Sequence, residues 1–273
     1  MLIADDGQFI DIEGLRTFYV RRGKGHPIVL IHGGAPGVCA SVSWSPNVDR
    51  FVDAGFEVIA FDQPGYGLTD NGDDFSMEFR CRHAQAFLAE IALERFHMVA
   101  NSQGAYIAVN IALADSRARR FVTTASGTIA PRGSAASAEQ AAAHGAQLRS
   151  YEPSLENVRN MTMKTLYHNE LVDDALVATR YEMSVGKNYE AQQKRRDAPA
   201  PPSLSDVLPT LKNKTLLLWG RDDHGVALER GMLLFQQLPN VEMHVFSECG
   251  HWCQWDQTER FHNVVENFLN APE

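Results

Sequence analysis

Short, strand-like runs, most of them largely apolar, alternate with amphipathic patterns, and this alternation is the feature that most limits the fold of this chain. The strand-like runs are residues 8–12, 15–21, 27–31, 56–61, 96–100, 121–125, 215–219 and 241–246. Helical periodicity covers residues 77–93, 105–114, 227–238 and 258–269. The first two runs flank Glu13-Gly14 and predict a hairpin. Because strands covered on both faces are apolar throughout, the pattern predicts an α/β fold with an eight-stranded, mostly parallel sheet between two helical layers.

Residues 131–206 interrupt this alternation, since no strand-like apolar run occurs there. The segment opens rich in Ala, Ser and Gln, continues with charged helix-forming sequence, and closes on the proline cluster 198–202. It contains too many apolar side chains for a long disordered loop. We therefore expect a core formed by residues 1–130 and 207–273, and an inserted helical lid at 131–206.

Charge and composition exclude several classes of function. The 273 residues carry a formal net charge of −9 at pH 7, so neither nucleic acid nor an anionic membrane surface is expected as a partner. No stretch reaches the roughly 18 apolar residues of a membrane span, and no secretory signal is visible. Four cysteines are too few for a disulfide framework, so we expect reduced thiols and a cytoplasmic protein.

Ser102 follows the apolar run 96–100 and precedes a helical pattern, with Ala100 and Gly104 two residues to either side. Small neighbours and a strand–turn–helix setting are typical of the nucleophile elbow of serine hydrolases. Ala100 stands where the strict motif has glycine. The alternative is a serine that caps the helix N-terminus.

Two later strand-like runs lead to groups that would complete a serine triad. The run 215–219 is followed by Asp222 and Asp223, and the run 241–246 by His251. A serine nucleophile needs a base and the base an orienting acid, and such groups gather at the carboxyl ends of parallel strands. The chain order serine, aspartate, histidine is that of α/β-hydrolases. Spacing alone does not choose between the two aspartates.

The oxyanion of acyl chemistry needs two N–H donors. We expect one from the backbone of Gln103, directly after the serine, and one from Gly34 in the glycine loop behind His32. The alternative is that the glycines of this loop only form a tight turn and bind no oxyanion. The remaining histidines are expected to be mostly structural or solvated. Cys249, His251 and Cys253 come from one loop without a second pair at ligand spacing, so neither a metal nor a cofactor is expected.

Together these residues resemble the meta-cleavage product hydrolases, serine-dependent α/β-hydrolases that cut a carbon–carbon bond in the ring-opened products of catechol-type dioxygenases. The matching runs are IHGGAPG (31–37), DQPGYG (62–67), NSQG (101–104), WGRDD (219–223) and VFSECGHW (245–252). They span nearly the whole core. The resemblance implies the α/β-hydrolase fold, a small-molecule substrate, and a homodimer or higher homo-oligomer.

The resemblance also implies roles for individual residues. The family's acid is the second aspartate of the pair, which is Asp223. The run LYHNELVDD (166–174) leads to Arg180, at the position of the lid arginine that binds the substrate carboxylate. Gly33, Asn101 and Trp252 match positions that line the substrate pocket. The alternative for Arg180 is an arginine on the lid surface.

The implied reaction hydrolyses the C5–C6 bond of a 2-hydroxy-6-oxo-hexa-2,4-dienoate after ketonisation, giving a carboxylic acid and a 2-hydroxypentadienoate.

Three departures from the family's pattern predict an altered substrate pocket. Gln103 replaces the family's usual methionine, Glu170 occupies a lid position expected beside the pocket, and the loop at Gly225 lacks the usual bulky residue and proline. The alternatives are a carboxylesterase or lactone hydrolase with the same triad, and a non-enzymatic ligand receptor on this fold.

Overall fold

The computed structural model describes residues 7–272 and contains one eight-stranded sheet. Its strands are β1 (Gln8–Ile12), β2 (Leu15–Arg22), β3 (His26–Ile31), β4 (Phe56–Phe61), β5 (Phe96–Asn101), β6 (Ala118–Thr124), β7 (Thr215–Gly220) and β8 (Val241–Phe246). The spatial order is β1-β2-β4-β3-β5-β6-β7-β8. The hairpin β1–β2 and the pair β2–β4 are antiparallel, and all other pairs are parallel. The predicted mostly parallel sheet is thus confirmed.

Strand β6 shows where the apolar pattern gave a wrong boundary. It begins at Ala118, three residues before the predicted start at 121, because Arg120 interrupts the apolar run yet lies in the strand. Its guanidinium donates to the Phe268 carbonyl at 2.7 Å and its backbone N–H to His97 Nδ1 at 3.1 Å. A charged side chain that finds such partners is tolerated in a buried strand.

The helices are α1 (Ala40–Trp44), α2 (Val48–Asp53), α3 (Met77–Glu90), α4 (Gly104–Ala114), α5 (Ala135–Arg149), α6 (Leu155–Thr165), α7 (Asp174–Glu182), α8 (Lys187–Asp197), α9 (Leu228–Gln237), α10 (Cys253–Asp256) and α11 (Thr258–Asn270). Alternate residues of the central strands face two apolar layers. Val29 and Ile31 of β3 pack with residues of α3, α4 and α9, whereas Ile28 and Leu30 pack with residues of α1, α2 and α11. Burial on both faces explains why these strands are apolar throughout.

Helices α5 to α8 lie between β6 and β7, in the segment that lacked strand-like runs. Their apolar residues form a separate cluster that includes Tyr151, Met161 and Leu176, and this cluster extends to Val38 and Trp252 of the core. The segment therefore packs over the loops that follow β3 and β8.

No helix in residues 7–272 is both long and apolar enough to cross a membrane. The expectation that no secretory signal is present concerns residues 1–6 above all, and these lie outside the described part of the chain.

Candidate active site

Ser102 lies at a sharp turn between β5 and α4 and has a positive φ of 52°. A left-handed backbone at a non-glycine residue costs roughly 1–2 kcal/mol and is typical of functional turns. The backbone N–H of Ser102 donates to the Thr124 carbonyl at 2.9 Å, which holds the turn against β6. Gly104 is required because a Cβ there would lie 2.5 Å from the Ile31 carbonyl oxygen. The N-cap of α4 is Gln103 rather than Ser102, which argues against the capping alternative.

His251 and Asp223 form a buried pair at the ends of β8 and β7. The Nδ1 of His251 lies 2.8 Å from Oδ2 of Asp223, whose side chain is fully buried. Oδ1 of Asp223 accepts the backbone N–H groups of Gly225 at 2.7 Å and Val226 at 2.9 Å. Burial alone would lower the pKa of His251, but the charge and hydrogen bond of Asp223 outweigh it and raise this pKa above 6.5. The pair therefore has the geometry of a base held by its orienting acid.

Asp222 makes different contacts. Its carboxylate lies 3.4 Å from the Arg221 guanidinium and accepts the backbone N–H of Cys249 at 3.3 Å. Since only Asp223 reaches His251, the geometry separates two aspartates that spacing left equivalent. Within residues 7–272, no group of three or more His, Cys, Asp or Glu side chains is arranged to hold a metal ion.

The loop after β3 lies directly against the serine turn. Gly33 is beside Asn101 and Ser102, and a Cβ on Gly34 would lie 2.0 Å from Oε1 of Gln103. His32 is fully buried behind the loop, where its Nδ1 lies 2.7 Å from the Gly33 carbonyl oxygen. Burial lowers the pKa of His32 to about 3, so the ring is neutral and structural. The loop after β3 thus lies beside both Ser102 and the residue that follows it, and the side chain of Gln103 is the part that contacts Gly34.

Arg180 is fully buried on α7 and points into the same cavity as Ser102 and His251. Its Nε donates to the Pro36 carbonyl at 3.1 Å and Nη1 to Thr162 Oγ1 at 2.9 Å. Nη2 has no hydrogen-bond partner among the described residues, and no carboxylate there forms an ion pair with it. The guanidinium lies 5.1 Å above the Trp252 ring, and burial lowers its pKa to about 10. Arg180 is thus not a lid-surface arginine.

Asn101 ends β5 and is 1% exposed. Its Nδ2 donates to Thr124 Oγ1 at 2.7 Å, whereas Oδ1 has no partner among the described residues. Trp252 is 2% exposed and borders the cavity beside Arg180. All the site residues expected from the sequence are therefore gathered around one cavity or directly behind it.

The chain is similar to known α/β-hydrolases in sequence and in fold. A family model for the α/β hydrolase fold matches residues 26–258. The 2-hydroxy-6-oxononadienedioate/2-hydroxy-6-oxononatrienedioate hydrolase of Burkholderia vietnamiensis strain G4 is 32% identical over 93% of this chain and 91% of its own length. The 2-hydroxy-6-oxo-6-phenylhexa-2,4-dienoate hydrolase of Comamonas testosteroni is 31% identical over 95% and 93%. A solved meta-cleavage product hydrolase from Pseudomonas fluorescens IP01 has a TM-score of 0.86 at 30% identity and covers 97% of this chain and 98% of its own. The chain belongs to the meta-cleavage product hydrolases.

In this meta-cleavage product hydrolase the cavity has a volume of about 570 Å³ and lies between the strand ends and helices α5 to α7. Its charged lining residues are Lys164, Arg180 and Arg230, and no Asp or Glu is among its lining residues. A ligand in this cavity therefore meets an electropositive wall, although the chain as a whole is acidic.

Sequence reasoning missed two polar residues of α5. Gln140 donates from Nε2 to the Asp223 carbonyl at 2.9 Å, and the His144 ring lies 6.2 Å from the His251 ring. Burial lowers the pKa of His144 to about 4, so it is a neutral group beside the base. No local signal could have found them, because α5 is Ala-rich and weakly amphipathic and only its docking decides which face meets the site.

Asp256 on α10 was also missed. Its carboxylate accepts the backbone N–H groups of Tyr167, His168 and Gly250 at 2.7–3.0 Å. The same loop is held by the backbone N–H of His251, which donates to the Thr165 carbonyl at 2.8 Å. Asp256 therefore ties the histidine loop to the segment between α6 and α7.

The expectation that Glu170 lies beside the pocket is wrong. Its side chain is exposed, binds His168 Nδ1 at 2.9 Å, and is absent from the cavity lining. The residue lies in a short helical turn whose outer side faces solvent. The residue lies in the inserted segment between β6 and β7, but the direction of its side chain depends on how that turn packs.

Proposed function

We propose that this hydrolase cleaves the C5–C6 bond of a 2-hydroxy-6-oxo-hexa-2,4-dienoate with Ser102, His251 and Asp223 as its triad. The observation that carries the proposal is the buried Arg180 guanidinium, which has an unpartnered N–H edge in the cavity that Ser102 and His251 also line. In the proposed division of the chain, residues 1–130 and 207–273 form the catalytic core and residues 131–206 the lid.

Arg180 provides the carboxylate site. An unpaired buried guanidinium is costly, and a carboxylate that pairs with it removes that cost while forming charge-assisted hydrogen bonds. With the substrate carboxylate at Arg180, the dienol chain runs along Trp252 and Asn101 toward Ser102. Gly33 lines the wall next to Ser102. This orientation brings the ketone at C6 to the serine turn.

The chemistry requires a proton shift before the bond breaks. Ketonisation moves the proton of the 2-hydroxyl to C5, so that electrons released at C5 can be delocalised into the new carbonyl at C2. Because Asp223 holds Nδ1 of His251, Nε2 is the ring nitrogen left to take a proton from the attacking O–H. The oxygen at C6 becomes an oxyanion and is stabilised by the backbone N–H groups of Gly34 and Gln103.

Collapse of this intermediate breaks the C5–C6 bond and leaves the electron pair on C5. The pair is delocalised into the C2 carbonyl, and protonation gives a 2-hydroxypentadienoate. The acyl half leaves as a carboxylic acid after the net addition of one water. The raised pKa of His251 suits this cycle, because the ring must accept a proton and later return it.

The experiment compares a ring-opened dienoate with p-nitrophenyl esters on the purified protein. Dienoate turnover is followed by the loss of its visible absorbance. We expect efficient dienoate cleavage, and a loss of several orders of magnitude in kcat for Ser102→Ala. Turnover of esters alone would instead establish a carboxylesterase or lactone hydrolase.

Arg180→Met separates these two activities. It should raise KM for the dienoate about 10- to 100-fold, since a buried charge-assisted hydrogen bond to the carboxylate is lost. Neutral esters lack that carboxylate and should lose much less. Equal losses on both substrates would show that Arg180 acts through the packing of the lid.

The compartment and assembly proposed for this enzyme are the cytoplasm and a homodimer or higher homo-oligomer. The four cysteines, Cys39, Cys81, Cys249 and Cys253, are buried and unpaired, which is compatible with a reducing compartment. Sedimentation or size-exclusion chromatography at micromolar concentration tests the assembly.

A further inference from the structure

A second cavity of about 320 Å³ adjoins the catalytic one. The two cavities share lining residues, which are Gly34, Gln103, Thr128, Gly145 and Leu148. A ligand that passes Ser102 can therefore extend past Gln103 into the second cavity. Arg180 lies in the catalytic cavity and does not line the second one.

The second cavity is unusually cationic for this chain. Arg80, Arg149, Arg195 and Arg196 line it, and no Asp or Glu is among its lining residues. The whole chain carries a net charge of −9. A cavity wall with four arginines and no acidic residue therefore differs in charge from the protein as a whole. A concave wall of one charge sign concentrates ligands of the opposite sign.

Arg80 is 5% exposed and has only neutral partners among the described residues. Its Nη1 lies 3.2 Å from Oε1 of Gln63, and both Nη1 and Nη2 lie 3.4 Å from Oε1 of Gln103. Its Nε has no partner there. The edge of the Arg80 guanidinium formed by Nη1 and Nη2 therefore contacts one amide oxygen, that of Gln103, and both distances are long. A carboxylate could bind the same two nitrogens with one oxygen each.

Arg195 on α8 approaches the same point from the lid. Its guanidinium lies 3.9 Å from the centre of the Tyr66 ring, and that of Arg80 lies 5.5 Å from the same centre. The Nη1 of Arg195 donates to the Gly65 carbonyl at 2.8 Å, and no carboxylate of the described residues pairs with it. Burial lowers the pKa of Arg195; Tyr66 acts to raise it, and the charge of Arg80 acts to lower it, as expected for two cations that repel. An anion in the cavity that both arginines line would relieve that repulsion.

We propose that Arg80 and Arg195, with the Gln103 amide, form an anion subsite that takes a second carboxylate on the acyl side of the substrate. The inference rests on the proposed function and names its substrate class, a dienoate whose group beyond C6 ends in a carboxylate. Arg180 binds the carboxylate at C1, the C6 ketone lies at Ser102, and the second carboxylate reaches past Gln103 to Arg80.

Arg195 could instead serve only to clamp the lid to the core. Lys187 is the matched control for that role, because it lies on the same helix and its Nζ donates to the Thr69 carbonyl at 2.6 Å. Lys187 lines neither cavity. Lys187→Met therefore removes a cation and a lid contact of α8 without touching the proposed subsite.

The test compares two substrates that differ only at the end of the side group. One is 2-hydroxy-6-oxonona-2,4-dienedioate, and the other is 2-hydroxy-6-oxonona-2,4-dienoate, in which a methyl group replaces the second carboxylate. We expect kcat/KM of the wild-type protein to favour the dioate, and Arg80→Met and Arg195→Met each to reduce that preference about 10- to 100-fold. Lys187→Met should leave the ratio unchanged. A wild-type ratio near one, or a ratio that survives both arginine substitutions, would overturn the proposal.

Product binding gives a readout that does not need turnover. The acyl products of the two substrates are succinate and butyrate, and titration calorimetry on the wild-type protein should show tighter binding of succinate, lost in Arg80→Met. If neither dienoate is cleaved, the proposed function fails, and the succinate titration alone decides the subsite. If both are cleaved equally and succinate binds no better than butyrate, the subsite fails while the proposed function stands. Arg195 is partly exposed, so its variant remains informative if Arg80→Met does not fold.

Discussion

Asp223→Asn is the substitution whose outcome the structure defines most sharply. Oδ1 of Asp223 is fixed by two backbone N–H donors, from Gly225 at 2.7 Å and Val226 at 2.9 Å. An asparagine at 223 must keep its carbonyl oxygen there, because its NH₂ group cannot accept those bonds. The NH₂ group then faces His251 at the position of Oδ2, 2.8 Å from Nδ1. Nδ1 must become the acceptor, and the proton moves to Nε2.

That tautomer cannot take a proton from the attacking O–H, since Nε2 already carries one. In a serine triad, an orienting aspartate changed to asparagine with intact geometry lowers kcat about 10⁴-fold, equivalent to about 5 kcal/mol in the activation free energy. The pKa of His251 changes as well. Asp223 raises it against the opposing effect of burial, so in the variant burial should bring it below the wild-type value.

The assay measures kcat between pH 5 and 9 with saturating dienoate. Neutral His251 is the active form, so wild-type activity should rise with pH through a midpoint above 6.5, the ordinary value for histidine. The residual activity of Asp223→Asn should have a lower midpoint. Asp222→Asn is the matched control, because an amide oxygen can still accept the Cys249 N–H, and its kcat should remain near that of the wild type. Comparable losses in both variants, or a kcat for Asp223→Asn within about tenfold of wild type, would refute the reasoning.

Three further substitutions probe the supports of the site. Gly34→Ala puts a methyl group 2.0 Å from Oε1 of Gln103, the end of a flexible side chain that can rotate away, so we expect kcat on a neutral-tailed dienoate, measured at saturation, to stay within about tenfold of wild type. Asp256→Asn replaces one of the two carboxylate oxygens that accept the three loop N–H groups with an NH₂ group. It should lower the free energy of unfolding, measured in urea, by about 1–3 kcal/mol. Asp62→Asn should cost a similar amount, because the two carboxylate oxygens accept the N–H groups of Ala40 and Leu68. Unchanged unfolding midpoints would contradict the last two expectations.

The sequence predicted all eight strands to within a few residues, because the central strands are largely apolar runs with clear ends and the outer ones lie beside recognisable turns. It also located Ser102, whose small neighbours reflect the narrow space at the turn. The short helices α1, α2 and α10 were not predicted, since four to six residues are too few to show a helical period. The predicted start of strand β6 was three residues too late, because Arg120 interrupts the apolar run.

Side-chain direction was decided only by the tertiary structure. Asp222 and Asp223 are adjacent in the chain, and only the packing of the β7 loop against the β8 loop shows which one reaches His251. Glu170 and Arg180 belong to the same inserted segment, yet one faces solvent and the other is fully buried.

The sequence by itself determined the order of the strands, the serine turn and the residue types of the proposed triad, because these depend on local patterns and on strand ends that must meet. The tertiary structure alone decided the electrostatics of the cavities. Arg80 lies on α3 of the core and Arg195 on α8 of the inserted segment, and they meet at one tyrosine ring only after that segment docks. Docking is a long-range packing event that no local pattern encodes, so the cationic second cavity is visible only in three dimensions.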